Sequence, residues 1–583
     1  MERKELREKI ATYLDSEKHP FFRKQIEDLE GRGEWDELQD RFYRDLEFGT
    51  AGLRGIIGGG FNRMNPFVVR RATQGLANYV LRHSGSARPT AVIAYDTRNY
   101  SDLFALEAAR VLASSGIVTR IFSGIRPTPV LSFAVRYLKA STGIVVTASH
   151  NPPAYNGYKV YWNDGGQVTP PHDTGIIREV LAVKETGRIL PDEELESRGL
   201  LVRIDREVDE AYAAMVRKLV LRPDLFRERG RDLKVVYTPL HGTGTFFVES
   251  ILADLGVQVR TVPEQREPDG NFPTVPFPNP EESSAMAMAL KLAAQTKADL
   301  VMGTDPDADR LGIAVPRDGD FVLVTGNQLG ALLADYIFSS RKELGSLPPK
   351  PAFVKTIVTT ELQRKIAEAN GAVCFDVLTG FKYIAELIRS FESAPGGHQY
   401  LFGGEESYGY LISTQVRDKD AVSAAVLTAE MALYHRSRGK TVLEHLHELY
   451  EKHGWYREEQ ISKGFPGEAG SKMMSDLMSR LRQSPPARLG GVAVTTVKDY
   501  KDGTTLDVRT SRREKNIDLP SSNVLQFLLE SGSIVSARPS GTEPKIKFYI
   551  SSCTGPGLTE REALPILDKE IEAIRGDLEA FFP

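Results

Sequence analysis

The chain has 583 residues and only two cysteines, Cys374 and Cys553. They stand far apart and match no metal-ligand spacing, which excludes a disulfide framework and a cysteine-based zinc site. A reducing, cytoplasmic setting is expected. An excess of charge is also lacking: 74 Lys and Arg against 78 Asp and Glu leave a net charge of −4. That argues against a surface built to coat nucleic acid or an anionic membrane, while leaving room for local basic pockets. No uninterrupted apolar run approaches the roughly 18 residues of a spanning helix. The opening MERKELREKIATYLDSEKH has no apolar core, so no signal peptide is expected. Fixed short repeats and low-complexity tracts are missing too. What is present is 41% apolar and 26% charged, an ordinary globular composition, in a length that suits about four domains.

Residues 1–47 read as charged amphipathic helices, with Leu6, Ile10 and Leu14 on one face. Apolar runs that end in polar loops then alternate with helical stretches. The runs are Ala91–Tyr95, Gly143–Thr147, Leu233–Tyr237, Ala298–Gly303 and Tyr400–Gly404. This alternation predicts α/β domains with mostly parallel sheets, whose ligands gather beyond the carboxyl ends of the strands. Boundaries are expected near Arg203–Val208, Pro316–Gly319 and Tyr456–Gly467. The last unit alternates as Ser533–Ala537, a loop, then Lys545–Ser551, and reads as α+β.

Four loops carry chemistry. In TASHNPPAYNGYKVYW (147–162), Ser149 follows a strand and is placed to serve as a nucleophile or phosphoryl carrier, with a structural turn as the alternative. Lys159 falls on the expected return strand, as an acid–base group or a phosphate partner. Neighbours in an extended segment point apart, so Ser149 and His150 need not form a hydrolase dyad. In GTDPDADRLG (303–312), Asp305, Asp307 and Asp309 alternate, and an extended loop would turn all three carboxylates to one side. Such carboxylates repel unless a cation neutralises them, with a solvated acidic turn as the alternative. Oxygen-only ligands suit a hard ion, Mg²⁺ first, with Ca²⁺ and Mn²⁺ as alternatives. Arg310 and Pro316 at the sixth and twelfth positions exclude an EF-hand. RPSGTEPKIK (538–547) offers Arg538, Ser540, Gly541 and Thr542 as a dianion pocket, with a plain hairpin turn as the alternative. GGEESYGY (403–410) offers Glu405 and Ser407 to vicinal sugar hydroxyls, with an acidic surface loop as the alternative. Arg54, Asp96, Arg98, Lys382 and Lys419 lie in weaker clusters. Gly439-Lys440-Thr441 and GTGTFF (242–247) lack the glycines of a P-loop and a dinucleotide fingerprint, and read as structural turns.

Taken in order, FGTAGLRG, TASHNPPAYNGYKVYW, TPLHGTG, GTDPDADR, TGFK, GGEESYGY and RPSGTEPKIK resemble the α-D-phosphohexomutase superfamily across essentially the whole chain. The wording is most similar to its long bacterial phosphoglucomutase branch, which also resembles phosphopentomutases. The resemblance implies four domains around a central cleft: three similar α/β domains with mixed sheets and a smaller C-terminal α+β domain. The expected divisions are 1–205, 206–320, 321–456 and 457–583. It implies a phosphoryl group on Ser149, and Mg²⁺ on Asp305, Asp307, Asp309 and that phosphoserine. It implies sugar contacts from Glu405 and Ser407, and a phosphate grip from Arg538, Ser540, Gly541 and Thr542. Thr379, Gly380, Lys382 and Arg310 join the substrate-binding set. Lys159, Lys419, Arg54 and His150 join the catalytic set. The implied reaction interconverts glucose 1-phosphate and glucose 6-phosphate through glucose 1,6-bisphosphate. Phosphopentomutase, phosphomannomutase, a bisphosphate synthase, a Mg²⁺-dependent sugar phosphatase and a silent sugar-phosphate sensor are the alternatives. The expected partners are small-molecule sugar phosphates, with no nucleic acid or membrane, for a cytoplasmic monomer or homodimer.

Overall fold

The structure, a computed structural model, describes residues 2–49, 52–465, 467–540 and 545–582, without the side chains at 467–469 and 471. Helices Arg3–Ser16, Pro20–Arg32 and Trp35–Phe42 open the chain. They bury Leu6 and Ile10 with Tyr13, Ile26 and Phe42 in a small cluster of their own, against Phe61 and Phe67 of the first α/β domain.

Three sheets follow one grammar. In the first, Thr142–Val146, Thr90–Tyr95, Val118–Phe122 and Leu201–Ile204 pair in parallel. Strand Thr142–Val146 ends in the serine loop, and Tyr155–Trp162 returns antiparallel beside it. In the second, Lys234–Thr238 pairs in parallel with Gln258–Thr261 and Leu300–Thr304. The last of these ends in the aspartate loop, and Leu311–Arg317 returns antiparallel. In the third, Pro351–Thr356 pairs in parallel with Val373–Val377 and Gln399–Glu405, and Gly409–Leu411 returns after the glutamate loop. The serine, aspartate and glutamate loops thus each join a parallel strand to an antiparallel return. The central strands are buried along their length, as expected where helices cover both faces.

One boundary marker falls elsewhere. Pro316–Gly319 spans the turn of a hairpin inside the second sheet, because Asp318 and Gly319 take the positive φ angles that a tight hairpin turn needs. The second sheet therefore runs on to Val324. Likewise, Tyr456–Gly464 is no linker. It pairs antiparallel with Lys545–Cys553 as the edge of the fourth sheet. That sheet carries helices Gly467–Gln483 and Glu560–Glu579, whose Leu477, Met478, Leu481, Ile571, Ile574 and Leu578 fill its core.

Helix Ala421–Ser437 ties the first three units together. It is buried from Ala421 to His435 and shares one apolar core with elements of all three. A helix apolar all round belongs in a protein interior. A separate cluster joins the third and fourth units: Ile357, Val358, Leu378 and Tyr383 meet Tyr500, Val524 and Tyr549.

Candidate active site

Ser149 lies beyond the carboxyl end of Thr142–Val146 and is 4% exposed. The loop is not extended. Ser149 has a φ of 51°, in the left-handed region that costs a non-glycine residue about 1–3 kcal/mol. This turn, rather than an extended segment, brings its Oγ within 3.3 Å of His150 Nδ1. Oγ also donates to Asp305 Oδ2 at 2.7 Å.

Buried side chains hold the turn. Thr147 Oγ1 donates to Asp96 Oδ2 at 2.6 Å and accepts the Ser149 N–H at 2.8 Å. Arg98, 2% exposed, donates to the carbonyls of Ser149, Asn151, Pro152 and Tyr155. The signal for these two supports was the pair Asp96 and Arg98 at a strand end, and it was too short to interpret in sequence.

The aspartate loop is also a turn rather than an extended segment. Ala308 N–H bonds the Asp305 carbonyl, and Asp305 Oδ1 accepts the Asp309 and Arg310 N–H groups at 3.1 and 3.0 Å. The expected convergence nevertheless holds. One oxygen from each of Asp305, Asp307 and Asp309 lies within 4.8 Å of the others, and all three residues are buried. Thr128, at the start of a first-domain helix, donates to Asp307 Oδ2 at 2.9 Å.

Two lysines border the cluster. Lys159, opposite Val145 on the return strand, donates to Asp307 Oδ2 at 3.0 Å and lies 3.7 Å from Asp309 Oδ2. Lys419 Nζ lies 3.1 Å from Asp309 Oδ2. Burial, with Asp307 and Asp309 beside it, pushes the Asp305 carboxyl well above the usual carboxylate range. Burial acts in the same direction on Asp307, but Lys159 outweighs it and holds that carboxyl below the usual range. Burial alone would lower the Lys419 ammonium; Asp309 and Asp418 outweigh it and raise it. Burial, with Arg310 and Arg54 nearby, drives the His150 imidazole well below its ordinary value.

Other expected residues gather at this edge. Arg54 is exposed on strand Leu53–Ile56, and its Nη1 lies 3.4 Å from Asn151 Oδ1 in the serine loop. The strand fits because Gly52, at φ 112°, passes where a Cβ would stand 1.9 Å from the Tyr158 carbonyl. Arg310 bridges the aspartate and glutamate loops, donating to Glu281 Oε1 at 2.8 Å and the Ser407 carbonyl at 3.0 Å. Glu405 ends its strand and accepts the Gly380 N–H at 2.9 Å, so TGFK and GGEESYGY form one surface. Residues 406–408 form a turn, so Glu405 and Ser407 do not share an extended segment. Thr379 and Gly380 are half-buried there. Lys382 sits on helix Phe381–Ser393, with Nζ 3.6 Å from Asp173 Oδ2 of the first domain.

In the fourth domain, Arg538 stands opposite Lys547 in a hairpin, and Ser540 N–H bonds the Lys545 carbonyl at 2.8 Å. Gly541 and Thr542 lie outside the described residues. A cavity of about 300 Å³ is lined by Glu406 and Ser407 on one side and by Ser536 and Tyr549 of the fourth domain on the other. The reading of two glycine-containing stretches as structural turns also holds. Thr441 caps helix Val442–His453, and Gly244 precedes helix Thr245–Asp254.

A serine, a carboxylate cluster and flanking cations meet where three α/β domains present equivalent strand ends. This is the layout of an enzyme that handles phosphorylated small molecules. Residues 45–187, 210–319 and 325–453 match the family models for phosphoglucomutase/phosphomannomutase alpha/beta/alpha domains I, II and III. The chain belongs to the phosphoglucomutase/phosphomannomutase family.

It is 38% identical over 510 residues to the phosphoglucomutase of Staphylococcus saprophyticus, covering 87% of this chain and 90% of that one. It is 34% identical over 604 residues to the phosphopentomutase of Homo sapiens, covering 99% and 96%. Among solved structures, the open form of the Paramecium phosphoprotein parafusin, a phosphoglucomutase, superposes with a TM-score of 0.70. The identity is 19%, covering 92% of this chain and 96% of that one. At that identity the likeness is one of fold.

Proposed function

We propose that the chain is a phosphoglucomutase, interconverting α-D-glucose 1-phosphate and glucose 6-phosphate through a phosphoserine at Ser149 and glucose 1,6-bisphosphate. The observation that carries this reading is the 2.7 Å bond from Ser149 Oγ to Asp305 within a buried three-carboxylate cluster. The 38% identity to a phosphoglucomutase supports the choice of sugar.

Asp305, Asp307 and Asp309 fit a hard divalent cation, Mg²⁺ by preference. Their oxygens converge, and the Oδ1 atoms of Asp307 and Asp309 are buried without a hydrogen-bond partner. When bound, such an ion neutralises charge on a phosphoryl group beside it. The remaining chemistry belongs to the side chains. The 6-hydroxyl oxygen of glucose 1-phosphate bonds to phosphorus as the bond to Ser149 Oγ breaks. One proton passes from that hydroxyl to Oγ. His150 and Asp305 touch Oγ, and Lys159 and Lys419 stand at the next remove, so these groups carry or steady the proton. The bisphosphate then turns over, its 1-phosphate returns to Ser149, and glucose 6-phosphate leaves.

Arg54 faces the migrating group. Glu405, Ser407, Thr379, Gly380, Lys382 and Arg310 hold the sugar. Arg538, Ser540, Gly541 and Thr542 grip the phosphate that stays. The proposal includes four domains, with divisions near 205 and 456 and the second domain carried on from 320 to Val324. It also includes a cytoplasmic protein that acts as a monomer or homodimer without nucleic-acid or membrane partners.

A coupled assay with glucose 1-phosphate, mannose 1-phosphate and ribose 1-phosphate, with and without glucose 1,6-bisphosphate and a chelator, tests this. Glucose 1-phosphate is expected to turn over fastest, and the chelator to stop it. Isomerisation of none of the three defeats the reading. Pentose activity is the second reading, because the human phosphopentomutase matches almost the whole chain. Faster turnover of ribose 1-phosphate would favour it.

A further inference from the structure

Two aspartates flank Lys419 in the segment Arg417–Ala421, and each accepts a tyrosine hydroxyl from another part of the protein. Asp420 takes the Tyr212 hydroxyl at 2.8 Å and caps helix Ala421–Ser437 through the Val422 and Ser423 N–H groups. Its work is structural. Asp418 faces the other way. It is 1% exposed, and its Oδ2 accepts the Tyr161 hydroxyl at 2.6 Å and Gln167 Nε2 at 2.8 Å. Its Oδ1 accepts Lys419 Nζ at 3.0 Å and the Lys419 N–H at 2.8 Å.

Both donors to Oδ2 come from the first domain, while Lys419 also reaches Asp309 of the second at 3.1 Å. The preceding residue is tied to the first domain as well: the Arg417 N–H bonds Ser132 Oγ at 2.7 Å, and Arg417 bridges Gly166. The lysine stem crosses Gly409 of the glutamate loop, where a Cβ would stand 2.2 Å from Lys419 Cδ. The ammonium is therefore fixed from three domains, and Asp418 is the only one of these contacts that both pairs its charge and bonds its backbone.

We propose that Asp418 is a positioning residue for the mutase reaction: it transmits the placement of the first domain to the Lys419 ammonium, and acts on turnover through that lysine alone. This rests on the mutase reading above. A carboxylate with every lone-pair direction engaged holds its partner to within a few tenths of an ångström, as a reacting geometry demands. Loss of its charge would leave Asp309 as the lysine's remaining carboxylate partner.

The test is a double-mutant cycle on glucose 1-phosphate turnover with Mg²⁺ and glucose 1,6-bisphosphate. Asp418→Asn is expected to lower kcat about 10- to 100-fold with KM changed less than about threefold. In a Lys419→Ala background the same change is expected to cost nothing further, because groups acting as one unit are not additive. Where Lys419→Ala is too slow in the steady state, single-turnover phosphoryl transfer replaces that assay with the same expectation. Asp420→Ala, which removes the helix cap, is expected to lower the melting temperature while leaving kcat within about twofold.

The proposal is overturned if Asp418→Asn keeps kcat within about twofold, if its loss multiplies with that of Lys419, or if Asp420→Ala slows turnover equally. Should Asp418→Asn fail to fold, Tyr161→Phe, which removes one donor, must slow kcat with KM little changed. An unchanged kcat there also overturns it. A wild-type protein that isomerises no sugar phosphate defeats the mutase reading itself, whereas an active wild type with an unaffected Asp418→Asn defeats only this inference.

Discussion

Ser149 and the three aspartates were legible as residues because their types and spacing limit the chemistry they suit. The reason for their convergence was not legible. Each loop could be read in sequence as an extended segment or as a turn, and positive φ angles at Ser149 and Ala308 make them turns. No side-chain pattern announces a left-handed serine. It is imposed by contacts from Asp96 and Arg98, about fifty residues earlier in the chain. Arg98→Ala removes the cation beside buried Asp96 and leaves serine-loop carbonyls unbonded. It is expected to cost about 3–5 kcal/mol in chemical denaturation and to lower kcat sharply. A loss under about 1 kcal/mol would show that water replaces the guanidinium. For the carboxylates, Mg²⁺ is expected to raise the melting temperature of the wild type and not of Asp309→Asn, since only a ligand that binds the folded state stabilises it. Equal stabilisation of both proteins would place the ion elsewhere.

Strands were the most legible elements. Short apolar runs ending in polar loops foretold Thr90–Tyr95, Thr142–Val146, Leu300–Thr304 and Gln399–Glu405 to within a few residues. Helix Ala421–Ser437 was not singled out, since it is apolar on every side and so shows no face. On it, Glu430 is wholly buried and accepts the N–H groups of Leu221 and Arg222, which fasten the loop after helix Arg206–Arg217. Burial raises its carboxyl from an ordinary 4.5 to about 7, against the pull of those bonds and of Arg222. A raised folded value means that the stabilisation is present in full below about 4.5 and is lost as the pH climbs through 7. Glu430→Gln is expected to flatten this dependence, removing a loss of roughly 3 kcal/mol between pH 4.5 and 8. Denaturation midpoints across that range are the check, and parallel curves for the two proteins would contradict it.

At the scale of the molecule, the alternation of strands and helices pointed to the α/β class, whereas the threefold grammar of strand, functional loop and antiparallel return was hidden. Backbone pairing repeats there while side chains do not. The junction of the third and fourth units was hidden for a related reason: Tyr500 and Tyr549 gain meaning only beside Ile357 and Tyr383. Tyr500→Ala is expected to loosen the fourth unit. It should raise KM several-fold and speed proteolysis near residue 455, with kcat changed less than about threefold. An unchanged KM would remove that junction from substrate binding. The central claim is a phosphoryl group carried on one serine. Mass spectrometry of the protein after incubation with labelled glucose 1,6-bisphosphate tests it most directly. The account predicts one labelled phosphoryl group on the peptide containing Ser149, discharged by glucose 1-phosphate and absent from Ser149→Ala. Steady isomerisation while that peptide stays unmodified would contradict it.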